Sequence, residues 1–241
     1  MKPSRPLIAK RESARTKLLD AAMRIVREKG FGATSIDELC AAAGVTKGAF
    51  FHHFPSKEAL GVAAAEHWSA TTSQVFLGAP YHDRDDPLDR IFGYLDLRIW
   101  MVGGDTSKFT CLAGTMAQEV FQSHPSIRDA AYASISGHAK MLEADLAAAI
   151  KRHQAPDNVT AESLALHIQT VLQGSFVISK AKDDPAFTIE SIRHLKRYLV
   201  LLFKHPSGGD ADPEQVVEQT AATRAHLEKL FWANRKAGED A

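Results

Sequence analysis

Residues 33–60, ATSIDELCAAAGVTKGAFFHHFPSKEAL, leave a chain like this few ways to fold. Thr34-Ser35-Ile36-Asp37 reads as a capping box, a hydroxyl at the N-cap and a carboxylate three residues on. Ile36, Leu39, Cys40 and Ala43 recur at helical spacing and give one apolar face. Gly44 follows, the residue that tolerates positive φ at a tight turn between helices. Val45 fills the angle, and Thr46 is placed to cap a second helix over Lys47–His53, with a longer helix starting at Ser56. Two short helices joined by a glycine turn are a helix-turn-helix, whose second helix fits the major groove of DNA.

Gly30-Phe31, Thr34-Ser35, Ala43-Gly44-Val45-Thr46-Lys47-Gly48, Phe50-Phe51-His52-His53-Phe54 and Ser56-Lys57-Glu58-Ala59-Leu60 together resemble the N-terminal domain of TetR-family bacterial repressors. The close resemblance covers about a quarter of the chain. The remainder resembles the family only in length and helical character. The resemblance implies an all-α protein: a three-helix, helix-turn-helix DNA-binding head over 1–57, then a larger helical effector-binding and dimerisation body over 58–204. A linker and an additional helix, beyond the family's usual nine, occupy 205–241. One departure is Phe51, where relatives usually carry a tyrosine. The lost phosphate contact costs about 0.5–1.5 kcal/mol per half-site if nothing replaces it.

Charge follows the same division. Residues 1–57 carry eleven Lys and Arg against five Asp and Glu, a net of +6, while the whole chain is neutral with 29 of each. The remaining residues therefore carry −6, so one end is suited to phosphate and the other avoids it. A random scatter is the bland alternative, yet the sign changes at the motif boundary. Two cysteines cannot build a disulfide framework, and no apolar run approaches the ~18 residues of a membrane span, so a cytoplasmic protein is expected. A phosphate-cradling glycine loop, a GxSxG elbow and a zinc-hydrolase pair are all missing, which argues against an enzyme. Eleven histidines show no HxxxH spacing, and no CxxC pair occurs; neither a metal nor another cofactor is expected.

Along the chain, residues 1–9 form a basic arm that either follows the DNA backbone or makes no contact. Helix 1 is predicted from about Lys10 to Lys29, stopped by Gly30, and helix 4 from Ser56 to about Phe76. Pro87–Val102, Thr106 to about Gln122, and Pro125 to about His153 follow, divided by glycine- or proline-bearing breaks. Thr160–Lys182 and Pro185–Lys204 are apolar on more than one side, the second with Ile192, Leu195, Leu199 and Leu202 at heptad-like spacing. A helix apolar over so wide an arc needs cover on more than one side. Either an intrachain core or a two-chain four-helix bundle supplies it, and the family resemblance implies the homodimer. Pro213 to about Arg235 reads as one more amphipathic helix.

In helix-turn-helix geometry the start of the second helix meets base edges and flanking groups hold phosphates. Lys47 is the long donor there, suited to guanine O6 and N7 or to a phosphate. Thr46, Gly48 and Ala49 are small enough for close approach. Thr34 and Ser35 are expected at a helix start, where amides and hydroxyls favour phosphate. His53 and Lys57 resemble the family's phosphate contacts. Phe51 is either such a surface contact or simple packing; Phe50 and Phe54 read as core.

The resemblance also implies a double-stranded operator, a homodimer and a small-molecule effector held between the middle helices. Phe109, Cys111, Thr115, Met116, Gln118 and Glu119 are the best cavity candidates, mixing small, apolar and polar groups. Trp100, Met101, His138, Met141, His167, Gln173 and Phe176 are candidates to complete it; packed core is the alternative for each. Cys111 opens its helix with a Cys-Leu pair, like a cysteine that some relatives use to sense electrophiles or oxidants. A helix N-terminus favours the thiolate; an inert buried thiol is the alternative. Control by a protein partner, with no small ligand, is the rival to an effector.

Overall fold

A computed structural model describes residues 13–205. Among them are ten α-helices, one 3₁₀ turn at Pro80–Asp83 and no strand, an all-α architecture. The basic arm and the Pro213–Arg235 helix lie outside the described residues.

Local sequence chemistry sets the first four helices. α1 (Ala14–Lys29) starts where the Ser13 hydroxyl accepts from Thr16 N at 3.1 Å, and stops at Gly30. In α2 (Ile36–Ala43) the cap is Ser35, whose hydroxyl accepts from Glu38 N, rather than Thr34 paired with Asp37. Thr34 instead is buried and donates its hydroxyl to the Gly30 carbonyl at 2.6 Å. Both hydroxyls have an acid three residues on, and the carbonyl of Gly30 decides between them. Gly44 adopts φ 62°, the left-handed conformation a turn this tight requires. Thr46 then caps α3 (Lys47–His53) through Ala49 N at 3.1 Å. α4 (Lys57–Leu77) is capped by Ser56.

The body comprises α5 (Pro87–Met101), α6 (Thr106–Phe109), α7 (Leu112–Val120), α8 (Pro125–His153), α9 (Ala161–Lys182) and α10 (Ala186–Phe203). Sequence periodicity predicts one helix over 106–122, but the chain is extended at Thr110 and Cys111. The break has a packing cause. Phe109 is buried in the body core and Leu112 in the head core. An unbroken helix would put residues three apart on one face.

Two apolar clusters result. The head cluster joins α1, α2 and α3 to the first half of α4, and also takes Leu112, Met116 and Val120 from α7 and Ile127 from α8. Each such burial contributes about 1.5–3 kcal/mol, so α7 is packed firmly into the head cluster. Met116, a cavity candidate by sequence, is a fully buried member of this cluster. The body cluster unites the rest of α4 with α5, α6, α8, α9 and α10. Ile192, Leu195 and Leu199, the heptad-like set of α10, are buried here within the chain. The opposite faces of α9 and α10 leave Leu166, Val177, Ile178, Phe187, Tyr198 and Leu201 exposed.

Candidate nucleic-acid interface

The exposed face of α3 carries Thr46, Lys47, Gly48, Phe51 and His52, with Ala49 and His53 at its flanks. Phe50 and Phe54 turn inward, at 0% and 3% exposure. Phe51 is 53% exposed, which removes the packing alternative for it. Its neighbour His52 shares that surface, on the Gly48 side one turn along. Lys47 Nζ sits 2.7 Å from Asp37 Oδ1, and that bond raises the lysine pKa. Lys29 likewise holds Glu38 at 2.5 Å and lowers its pKa. Both acids of the first turn of α2 are thus neutralised on the face that would meet phosphate. Ser35 is exposed beside them, while Thr34 is withdrawn from the surface with its amide and hydroxyl both bonded.

Lys57 does not point outward. Its ammonium donates to the carbonyls of Phe31 (2.8 Å), Gly32 (3.3 Å) and Thr34 (2.7 Å) and lies 4.5 Å from the Phe31 ring centre. Partial burial lowers its pKa. All three of its protons are used, so it braces the turn between α1 and α2. The same turn is held from the other side by α7. Glu119 accepts from Phe31 N at 2.5 Å and from Gly32 N at 2.8 Å. Glycine at 32 permits that approach, because a Cβ there would stand 2.7 Å from the carboxylate. Glu119 therefore ties the body to the segment that leads into α2.

Above this tie lies an open cavity of about 330 Å³, lined by Cys111, Thr115, Gln118, Gln173, Phe176 and Lys180 among others. Cys111 caps α7, its sulfur accepting from Gly114 N at 3.4 Å, and it is partly exposed rather than buried. Lys180 bridges the Arg27 carbonyl (3.1 Å) and the Thr115 hydroxyl (2.9 Å); burial, then the nearby Arg27, lowers its pKa. Burial likewise brings Arg27 down to about 10. Glu119 borders the cavity, but its carboxylate is committed to the head.

Other candidates fall elsewhere. Phe109 and His138 line a second, inner void together with Met101, Gln173 and Phe176. His138 is kept well below the ordinary histidine pKa by burial and by Arg98. Met141 borders a small pocket under Tyr81. Trp100 packs against the body core and lines none of these spaces. His167 is exposed on α9, its ring 5.4 Å from that of Tyr198, on the unpaired apolar face. Asp86, His153 and His205 bring ligand atoms within 4.8 Å of one another, a grouping that linear spacing cannot reveal. There Asp86 is occupied in capping α5 through Leu88 N and in pairing with His153 and Arg152. Arg98, overlooked in the sequence because no motif surrounds it, reaches the inner void.

A family model described as bacterial regulatory proteins of the tetR family matches residues 18–64, and a tetracyclin repressor-like C-terminal domain model matches 87–195. EthR of Mycolicibacterium smegmatis is 25% identical over 189 residues, 78% of this chain and 83% of its own length. YerO of Bacillus subtilis is 42% identical over 52 residues, 22% of this chain but only 18% of that protein. The fold is shared with E. coli NemR in its reduced form (TM-score 0.68, 23% identity, 77% of this chain and 96% of that one). It is shared also with a cysteine mutant of CifR complexed with 26-bp double-strand operator DNA (TM-score 0.63, 18% identity, 79% and 97%). With head and body each matched by a model of the same family, on a helix-turn-helix that exposes Thr46, Lys47 and Phe51, the chain belongs to the TetR family of DNA-binding transcriptional regulators.

Proposed function

We propose that the protein is a cytoplasmic, non-enzymatic repressor that holds a palindromic operator as a homodimer and releases it when the cavity beside Cys111 is filled or Cys111 is modified. The observation that carries this reading is the Glu119 tie. One helix, α7, has the cavity's thiol at its start and the head's anchoring carboxylate two turns later. A ligand releases DNA only if it binds better to the conformation that does not fit DNA. Displacement of α7 supplies such a difference, because the head cannot keep its place when its tie moves. An open cavity also favours a small ligand over control by a protein partner alone. The relatives are regulators, and no described helix is long and apolar enough to cross a membrane.

One head reads one short half-site, so two are set about one helical turn apart, roughly 34–36 Å. Lys47, Gly48, Ala49 and Thr46 approach the bases, Phe51 lies against the backbone or a thymine methyl, and Ser35 and His53 flank a phosphate. Lys47→Ala is expected to weaken specific binding by about 1–3 kcal/mol. Fluorescence anisotropy at fixed salt checks it, and equal affinities of variant and parent would reject the role.

Thiol alkylation by N-ethylmaleimide is expected to abolish operator binding of the parent and to leave Cys111→Ser unaffected. A retardation assay with both proteins reads the result, and equal loss in both would remove Cys111 as the trigger. Glu119→Gln weakens the tie by about 1 kcal/mol, since the carboxylate is exposed and such contacts are screened. It is expected to keep operator binding while losing most of the response to alkylation. A full response in that variant would show that the signal travels by another path.

A further inference from the structure

Arg98 brings a positive charge into the middle of the body without an acidic partner. No carboxylate of the described residues lies within 4.0 Å of its guanidinium. Its contacts are neutral instead. Nε donates to the Tyr94 hydroxyl at 3.0 Å, Nη2 donates to His138 Nε2 at 2.9 Å, and the Phe76 ring centre is 4.3 Å away. The Tyr94 hydroxyl also lies 3.0 Å from His138 Nε2 and accepts from Gln169 at 3.2 Å. Because His138 Nε2 accepts here, that ring is neutral and does not balance the guanidinium. Nη1 has no hydrogen-bond partner among the described residues. Arg98 is only part-buried, yet its guanidinium borders an interior void with neutral partners alone, where an anion of matching shape would add a charge-assisted fork.

Arg98 opens onto interior space. Arg98 borders a void of about 30 Å³ whose walls include Thr72, Ser134, His138 and Gln169. Cys111, Gln173 and Phe176 line both this void and the larger cavity of about 330 Å³, so three side chains are all that the two spaces share as a partition. On the outer side, Thr110 contributes a hydroxyl that is buried and has no hydrogen-bond partner. The inner void has room for little more than one water, so a head group reaches Arg98 only as the partition parts, and a planar carboxylate needs less of that opening than a phosphate with its fourth oxygen. Guanidinium and carboxylate match as planar forks. Towards the cavity the walls turn apolar, with Phe109 and Phe176 edge to face at 6.2 Å.

Resting on the effector reading above, we propose that the effector is a small organic carboxylate whose head group pairs with Arg98 while its apolar body lies along Phe109 and Phe176 past Cys111. Entry of the head group parts Cys111 from Gln173 at the start of α7. The same displacement that Cys111 modification produces is thereby reached without a covalent bond.

Matched acids and amides test the assignment on the full-length protein by calorimetry: 2-naphthoate against 2-naphthamide, octanoate against octanamide. One or both acids are expected to bind, with the corresponding amide roughly tenfold weaker or worse. Arg98→Met is expected to erase that preference and Arg98→Lys to keep part of it. Amides that bind as well as acids, acids that bind Arg98→Met as tightly as the parent, or no binding by either acid would overturn the proposal. Should Arg98→Met fail to fold, the acid–amide comparison on the unaltered protein decides alone. Operator binding, followed in parallel, separates the two claims. A neutral compound that binds and releases DNA overturns the carboxylate and leaves the effector-controlled repressor standing. A carboxylate bound through Arg98 that leaves operator affinity unchanged supports the site and overturns the effector role.

Discussion

Glutamate at both Ile178 and Leu201 is expected to convert the protein into a monomer and to lower operator affinity roughly 10²–10⁴-fold, the advantage of engaging two linked half-sites. These residues are 50% and 77% exposed, on the faces of α9 and α10 turned away from the chain's own core. Leu166, Val177, Phe187 and Tyr198 are further large apolar residues exposed on the same two helices. Ile192, Leu195 and Leu199 already fill the intrachain core, so the second apolar side of α10 is free among the described residues to meet a second chain in the proposed homodimer. Two charges at the centre of such a face place unpaired carboxylates in the interface. Light scattering after gel filtration gives the mass, and anisotropy on a palindromic duplex gives the affinity. A double variant that stays dimeric would move the interface elsewhere.

The second large effect concerns stability. Lys196→Met is expected to cost about 3–5 kcal/mol, the penalty for removing one partner of a buried ion pair. Lys196 Nζ and Asp96 Oδ1 are 2.6 Å apart, and their side chains are 4% and 1% exposed. The pair joins α10 to α5 across the body core, so its loss loosens the platform that carries the exposed faces of α9 and α10. Adding Asp96→Leu removes the other member of the pair and is expected to restore most of the stability, because replacing both members with apolar groups is often neutral. Urea unfolding of the three variants provides the check. A small loss in Lys196→Met would mean that water or another group satisfies Asp96.

Which features were legible in the sequence follows from the range of the forces that set them. Ser13, Thr46 and Ser56 cap helices through contacts three residues away, and Gly44 makes its turn alone, so the helix-turn-helix is written locally. Thr34 and Ser35 are equivalent to local chemistry, and only the Gly30 carbonyl distinguishes them. Lys57 resembles a phosphate contact in linear order, yet carbonyls more than twenty residues earlier claim its protons. The break at Thr110 arises because Phe109 and Leu112, three residues apart, serve different cores, which no periodicity records. The Arg98–His138 contact and the tie from Glu119 to Phe31 were hidden for the same reason: the partners lie 40 and 88 residues apart. His167 and Met116 have the composition of cavity residues, and packing alone sends one to an outer face and the other to the head core.

The central claim, that two α3 helices lie in successive major-groove faces of one duplex about a dyad, is tested most directly by hydroxyl-radical footprinting on the DNA flanking the protein's own gene, with native mass spectrometry of the same complex. The account predicts two symmetric protected patches about one turn apart, roughly 34–36 Å, an even number of protomers per duplex, and loss of both patches together in Lys47→Ala. A lone protected patch, a single bound protomer, or protection indifferent to DNA sequence at moderate salt would contradict it.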